Sequence, residues 1–168
     1  MKKILLIIID LVVKVWPAGK SPIAPGTVSS LMAAIIGFLI NINFGSDITF
    51  LIGALTGLVG LKFSNIYIKN KSSKDPKEVV IDEFVGQSIP IFMYEISHGY
   101  EKLTGDALIF YFIIFILFRI YDICKPFPIN YIDKNLKNAV GVILDDVIAG
   151  IYTVLSLIII ILTKFYFL

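Results

Sequence analysis

Cysteine, histidine and tryptophan each occur once in these 168 residues, as Cys124, His98 and Trp16. A lone cysteine excludes an intrachain disulfide framework, so the fold needs no oxidising compartment. Charge is scarce as well: Asp, Glu, Lys and Arg make up 17% of the chain, against roughly a quarter in ordinary soluble domains. The formal net charge of +2 and the lack of any basic run interleaved with aromatics argue against nucleic acid as a partner. No internal repeat or low-complexity stretch is evident. The opening Met1-Lys2-Lys3 and Ile4–Ile9 resemble a signal peptide, but no small-x-small cleavage site follows, and Asp10 and Lys14 interrupt the apolar run.

What is abundant is apolar sequence. Hydrophobic residues reach 57% and the mean hydropathy is +0.87. They fall in blocks with the charges between them, as a lipid-embedded helix bundle requires, because spanning backbone must satisfy its own hydrogen bonds. Five blocks are read: 28–42, 48–68, 79–96, 107–123 and 140–162. Blocks two and five have the roughly 20 residues needed to cross a bilayer core; the other three are shorter and draw on their flanks. Gly53 and Gly57, four apart in the second block, permit close helix approach. Residues 3–16 are read as an amphipathic helix, interfacial or re-entrant, anchored by Trp16. Residues 18–27 hold two prolines and two glycines and are read as irregular, followed by a helix that the Thr27 hydroxyl could cap. The expected architecture is therefore all-α: a polytopic membrane helix bundle forming a single domain over 1–168, with no separate soluble module. Soluble helical packing is rejected, since five such blocks leave too little polar surface to solvate them.

The lysines set the orientation. If the N-terminus is cytoplasmic and the blocks cross alternately, thirteen of the fifteen basic residues lie inside, all but Lys102 and Lys164, in keeping with the positive-inside rule. That topology gathers Pro25-Gly26-Thr27, Asp82-Glu83, Arg119 with Asp122 and Lys125, and Asp145-Asp146 at the inner interface. Ionisable groups at such depth are costly and are usually paired or functional. Taken singly, Asp82 and Glu83 could merely complement a helix dipole, and Arg119 with Asp122 could be a local ion pair. Two adjacent acidic pairs, however, repel strongly without a cation. Magnesium suits Asp82, Glu83, Asp145 and Asp146, because it takes carboxylate oxygens, keeps waters and binds phosphate. Arg119 and Lys125 then read as phosphate clamps, and Pro25, Gly26 and Thr27 as a turn beside the phosphate. A cationic, metal-bearing site at headgroup depth suggests chemistry on a phospholipid phosphate, with direct water attack and an aspartyl-phosphate intermediate both open.

The same residues resemble the motifs of the phosphatidylglycerophosphatase A family. The resemblance rests on Pro25-Gly26-Thr27, on 81–86 (IDEFVG), on 118–129 (FRIYDICKPFPI) and on 144–150 (LDDVIAG). These motifs occur in order across nearly the whole chain. The resemblance implies a magnesium-dependent enzyme of the bacterial inner membrane, hydrolysing phosphatidylglycerophosphate to phosphatidylglycerol at the cytoplasmic face. It also implies active-site roles for Asp82, Glu83, Asp122, Asp145, Asp146, Arg119 and Lys125. The chain departs from the family pattern at Ser29, where glycine is usual, and at Asn138-Ala139, in place of a Gly-Gly pair, while Gly141 is kept.

Rival readings are weaker. A histidine-dependent lipid phosphatase needs two histidines, and a cysteine phosphatase needs an arginine closing its phosphate loop, whereas Lys125-Pro126-Phe127 follows Cys124. A CDP-alcohol phosphotransferase also uses membrane aspartates and magnesium, but its Asp-Gly opening followed by Ala-Arg is missing. A small ion or metal transporter would carry its acids near the bilayer midplane, often with repeats.

Overall fold

The computed structural model describes residues 2–69, 76–98, 104–136 and 138–167. Lys71, Lys74, Lys102 and Lys137, all counted in the orientation above, lie outside them. The described residues form seven α-helices and no strand: α1 (Lys2–Val13), α2 (Pro25–Phe44), α3 (Ser46–Lys69), α4 (Ile81–His98), α5 (Thr104–Cys124), α6 (Ile129–Asn135) and α7 (Ala139–Phe167). A short 3-10 turn at Ala18–Lys20 precedes α2. Helices α2 and α3, with residues 107–124 of α5 and 139–163 of α7, are long and apolar enough to cross a membrane. Leu31, Leu39, Leu58, Phe112 and Ile159 stand exposed on them, a belt that water would penalise and lipid would accept.

Helix α4 is less apolar because its neighbours screen it. It packs against α2, α3, α5 and α7, and its Asp82, Gln87 and Glu95 are buried among them. Gln87 is fully buried there. Glu95 lies inside α4 at 1% exposure, where Asn41 of α2 donates a hydrogen bond to its carboxylate. A donor on the facing helix is what lets that carboxylate stay within the bundle.

Small residues set the spacing around α4. On α3, Gly53 lies against Ser88 and Gly57 against Val85, each with room for a methyl group. The approach of α7 is closer. Pro90 has no N–H to return to the carbonyl of Gly86, and that carbonyl lies against Gly150, where a Cβ would stand 2.5 Å from it. Reciprocally, a Cβ on Gly86 would stand 2.6 Å from the carbonyl oxygen of Asp146. Two glycines on facing helices thus bring the first turns of α4 and the early turns of α7 together.

Two expectations are corrected. Helix α1 ends at Val13 rather than at residue 16, because Val15 takes a positive φ of 40°. Its buried residues Ile9 and Val13 pack on Tyr67, Val79 and Ile81, and the backbone N–H of Val80 donates to the Val13 carbonyl at 2.9 Å. Secondly, α2 begins at Pro25, so Gly26 and Thr27 are helical and Thr27 is not the cap. Proline at the first helical position is preset for a helix and gives up an N–H that would be orphaned anyway; the cap is Ala24, at φ 46° and ψ 61°, with no side-chain cap bond. After α5 the chain forms α6, in which Ile129 and Ile132, with Leu136 just beyond its end, follow helical spacing; Ile129 packs beneath Phe118 and Ala149.

Candidate active site

Three helices begin, and one ends, around a single cavity of about 310 Å³. Helix α2 contributes Pro25 and Gly26, α4 contributes Asp82 and Glu83, α5 contributes Arg119 and Asp122, and α7 contributes Asp145 and Asp146. Asp82 and Glu83 occupy the first turn of α4, where the positive end of the helix dipole favours carboxylates. The uncapped start of α2 opens on the same space, with its orphan amides available to an anion.

Asp82, Glu83 and Asp146 each place one carboxylate oxygen within 4.8 Å of the others. Asp82 and Asp146 are buried, at 7% and 3% exposure. One oxygen of each residue, Oδ1 of Asp82, Oε2 of Glu83 and Oδ1 of Asp146, is buried without a hydrogen-bond partner. Buried acceptors are ordinarily satisfied, and a hard cation taking carboxylate oxygens would satisfy all three. The donor set therefore fits a metal ion. Gly26 belongs to this arrangement: a Cβ there would collide with Oε1 of Glu83, so the glutamate lies directly on the first turn of α2.

Asp145 is placed apart from that trio. Its Oδ2 accepts from Lys125 Nζ at 2.7 Å, and its Oδ1 accepts from the backbone N–H of Asp146 at 3.0 Å. Lys125 reaches Asp133 as well, at 3.1 Å. Burial weakens the Lys125 ammonium, but the hydrogen bond and charge of Asp145, then those of Asp133, outweigh it and hold the pKa above its ordinary value. Lys125 has φ 43°, a left-handed conformation costly for a residue with a Cβ, and the two carboxylates brace it. Arg119 pairs with Asp122 at 2.5 Å and donates to Ser30 Oγ at 3.3 Å, while its Nε is buried without a partner.

Pro25, Gly26, Asp82, Glu83, Arg119, Asp122, Lys125, Asp145 and Asp146 thus all line one cavity, whereas Thr27 does not. The cavity also includes Asp133, Lys77 and Ala24, which the motifs do not single out. The helical spacing of α6 was the available sign that Asp133 could be presented by an ordered element. Ser29 is fully buried and its hydroxyl donates to the Val80 carbonyl at 2.5 Å, so it joins α2 to the segment before α4 and does not line the cavity. Asn138 accepts from the Gly141 N–H at 2.9 Å and so caps α7. Gly141 lies against the carbonyl of Leu136 with no space for a side chain.

With the four motif regions on one cavity, comparison with known proteins becomes informative. The family model of phosphatidylglycerophosphatase A matches residues 11–161. The chain belongs to that family. Phosphatidylglycerophosphatase A of Haemophilus influenzae is 34% identical over 132 residues, covering 79% of this chain and 76% of its own length. The Escherichia coli (strain K12) protein of the same name is 29% identical, over 80% and 72%. A Bacteroides thetaiotaomicron protein bearing the name "Putative phosphatidylinositol-3-phosphatase" is 39% identical, over 81% and 82%. No solved structure matches the chain. Family membership and the apolar helices together make the protein a membrane-embedded phospholipid phosphatase.

Proposed function

We propose that the protein hydrolyses phosphatidylglycerophosphate to phosphatidylglycerol and inorganic phosphate, with magnesium held by Asp82, Glu83 and Asp146, at the cytoplasmic face of a bacterial inner membrane. The observation that carries the metal reading is the charge balance of the cavity. Six carboxylates (Asp82, Glu83, Asp122, Asp133, Asp145 and Asp146) face three cations (Lys77, Arg119 and Lys125). A phosphate monoester adds about 1.5 to 2 further negative charges at neutral pH, so binding it requires additional positive charge. The substrate comes from the names of the Haemophilus influenzae and Escherichia coli relatives. The Bacteroides thetaiotaomicron relative's name supports a second reading, in which the headgroup differs and the lipid phosphate monoester is common to both.

Magnesium, when bound, neutralises phosphoryl oxygens and acidifies a coordinated water. The chain's own groups account for the rest. The amides opening α2 and the guanidinium of Arg119, through its unpartnered Nε, receive phosphoryl oxygens. Asp122 and Ser30 hold the guanidinium plane, since a bidentate donor acts only when oriented. Lys125 is spread between Asp145 and Asp133 and lends positive charge to the cavity wall. The sidedness rests on the basic residues: the cavity contains the starts of α2, α4 and α7, and hence the end of the bundle that the lysine distribution assigns to the cytoplasm.

The test is phosphate release from phosphatidylglycerophosphate by purified protein in detergent. Release should stop on chelation, return with magnesium, and be lost in Asp146→Asn with the fold intact. A folded protein that releases phosphate equally well in chelator would remove the metal from the proposal. Release from phosphatidylinositol-3-phosphate in preference would favour the second reading.

A further inference from the structure

We propose that the seam between α2 and α5 is an acyl-chain subsite, holding one fatty chain of the lipid whose phosphate occupies the cavity; this rests on the phosphatase reading above. The seam holds a groove of about 320 Å³ with a wholly apolar lining. Its walls are Leu31, Ile35 and Leu39 on α2 and Leu108, Phe112 and Phe115 on α5. Its floor is recessed: Ala34 is small and buried, and the buried Tyr111 meets Phe38 edge-on, with centroids 5.3 Å apart. A smooth lipid-facing surface would not offer such a trough.

The occupant follows from continuity with the phosphate cavity. Where the groove ends, Arg119 of α5 donates to Ser30 of α2. Leu31 is the residue after Ser30, and Phe115 lies one helical turn before Arg119, which lines the cavity. A phosphate received by Arg119 therefore has its glycerol backbone at the mouth of this seam. From Leu31 to Leu39 the groove climbs about 12 Å at 1.5 Å per residue. One leaflet of a bilayer core about 30 Å thick is about 15 Å deep. The groove thus runs from headgroup depth nearly to the midplane, the path of a single acyl chain in the leaflet the cavity faces.

Two measurements test the proposal. The first compares kcat/KM for dioleoyl and dihexanoyl phosphatidylglycerophosphate in the same detergent, for wild type, Leu31→Trp and Ile35→Trp. Blocking the groove should lower the long-chain to short-chain ratio about tenfold, the worth of losing contact with a methylene or two. A ratio equal to that of wild type would place the chain elsewhere and overturn the subsite. The second needs no turnover: with Trp16→Phe removing the native tryptophan, Phe112→Trp reports quenching by dibrominated phosphatidic acid or dibrominated phosphatidylcholine at equal mole fraction. Saturable quenching by the phosphate monoester, well beyond that by phosphatidylcholine, supports the subsite. Equal quenching by both means ordinary boundary lipid, and no quenching means the seam is covered by protein; either result overturns it. If wild type releases phosphate from neither substrate, the substrate assignment fails while the quenching experiment still decides the groove.

Discussion

The geometry of the cavity depends on how closely α4 and α7 approach, and Gly86→Ala tests that dependence directly. The added Cβ would stand 2.6 Å from the Asp146 carbonyl oxygen and 2.8 Å from Cε2 of Phe118, whereas ordinary contact begins at 3.4 Å. The shortfall against the carbonyl is about 0.8 Å (3.4 less 2.6). It is set against backbone, which has no rotamer to change, so the helices must separate or turn. Asp146 belongs to α7 and Asp82 and Glu83 belong to α4, so the displacement falls within the carboxylate trio. Overpacking of this kind costs about 1–3 kcal/mol, and misplacing catalytic groups by about 1 Å costs on the order of a hundredfold in rate. Gly86→Ala should therefore remain folded, with a lowered melting temperature and magnesium-dependent phosphate release reduced about a hundredfold. Gly57→Ala is the matched control, since its Cβ would meet Val85 at 3.6 Å, ordinary contact, and it should differ little from wild type. Wild-type activity in Gly86→Ala, or equal losses in the two variants, would show that close packing of α4 on α7 does not set the site.

Other predictions follow from individual side chains. Gly26→Ala should leave thermal stability nearly unchanged but weaken magnesium affinity, measured as a raised metal concentration for half-maximal phosphate release, because the new Cβ displaces only the end of Glu83. Lys125 has its pKa raised by Asp145 and Asp133, so its pairing is complete below the unfolded value of about 10.4 and is lost only as pH climbs through the higher folded value. A pH–activity profile should therefore show no alkaline limb attributable to Lys125 below about pH 10, and the profile of Lys125→Arg should match wild type there even if its rate is lower. Cys124, exposed at the end of α5, should react with a membrane-impermeant maleimide in inside-out vesicles and not in intact spheroplasts; the reverse pattern would invert the proposed orientation.

Much was determined by the sequence alone. Apolar blocks separated by charge can satisfy their backbone in lipid only as helices, and adjacent acids at the ends of such blocks are too costly to be incidental. The helix bundle and the gathering of four motif regions at one end came from that pattern, and the family resemblance from the residues of the motifs themselves. Helix boundaries were less legible where local chemistry cuts against composition. The prolines and glycines of 18–27 suggested irregular chain throughout, yet Pro25 starts α2 because proline is disfavoured only once a helix has a preceding turn to clash with.

What only the tertiary structure decided is the division of labour among the acids. Asp145 and Asp146 are adjacent and chemically alike, but successive helical residues point about a hundred degrees apart. Asp145 consequently turns to Lys125, while Asp146 joins Asp82 and Glu83 across the seam that Gly86 and Gly150 open. Asp133 enters the cavity on a short helix outside the quoted motifs. Ser29, which stands where the family usually has glycine, bonds to Val80 because its face of α2 points into the bundle. Sequence pattern specifies which residues reach the same depth; which of them meet is set by helix rotation and by how closely the backbones can pack.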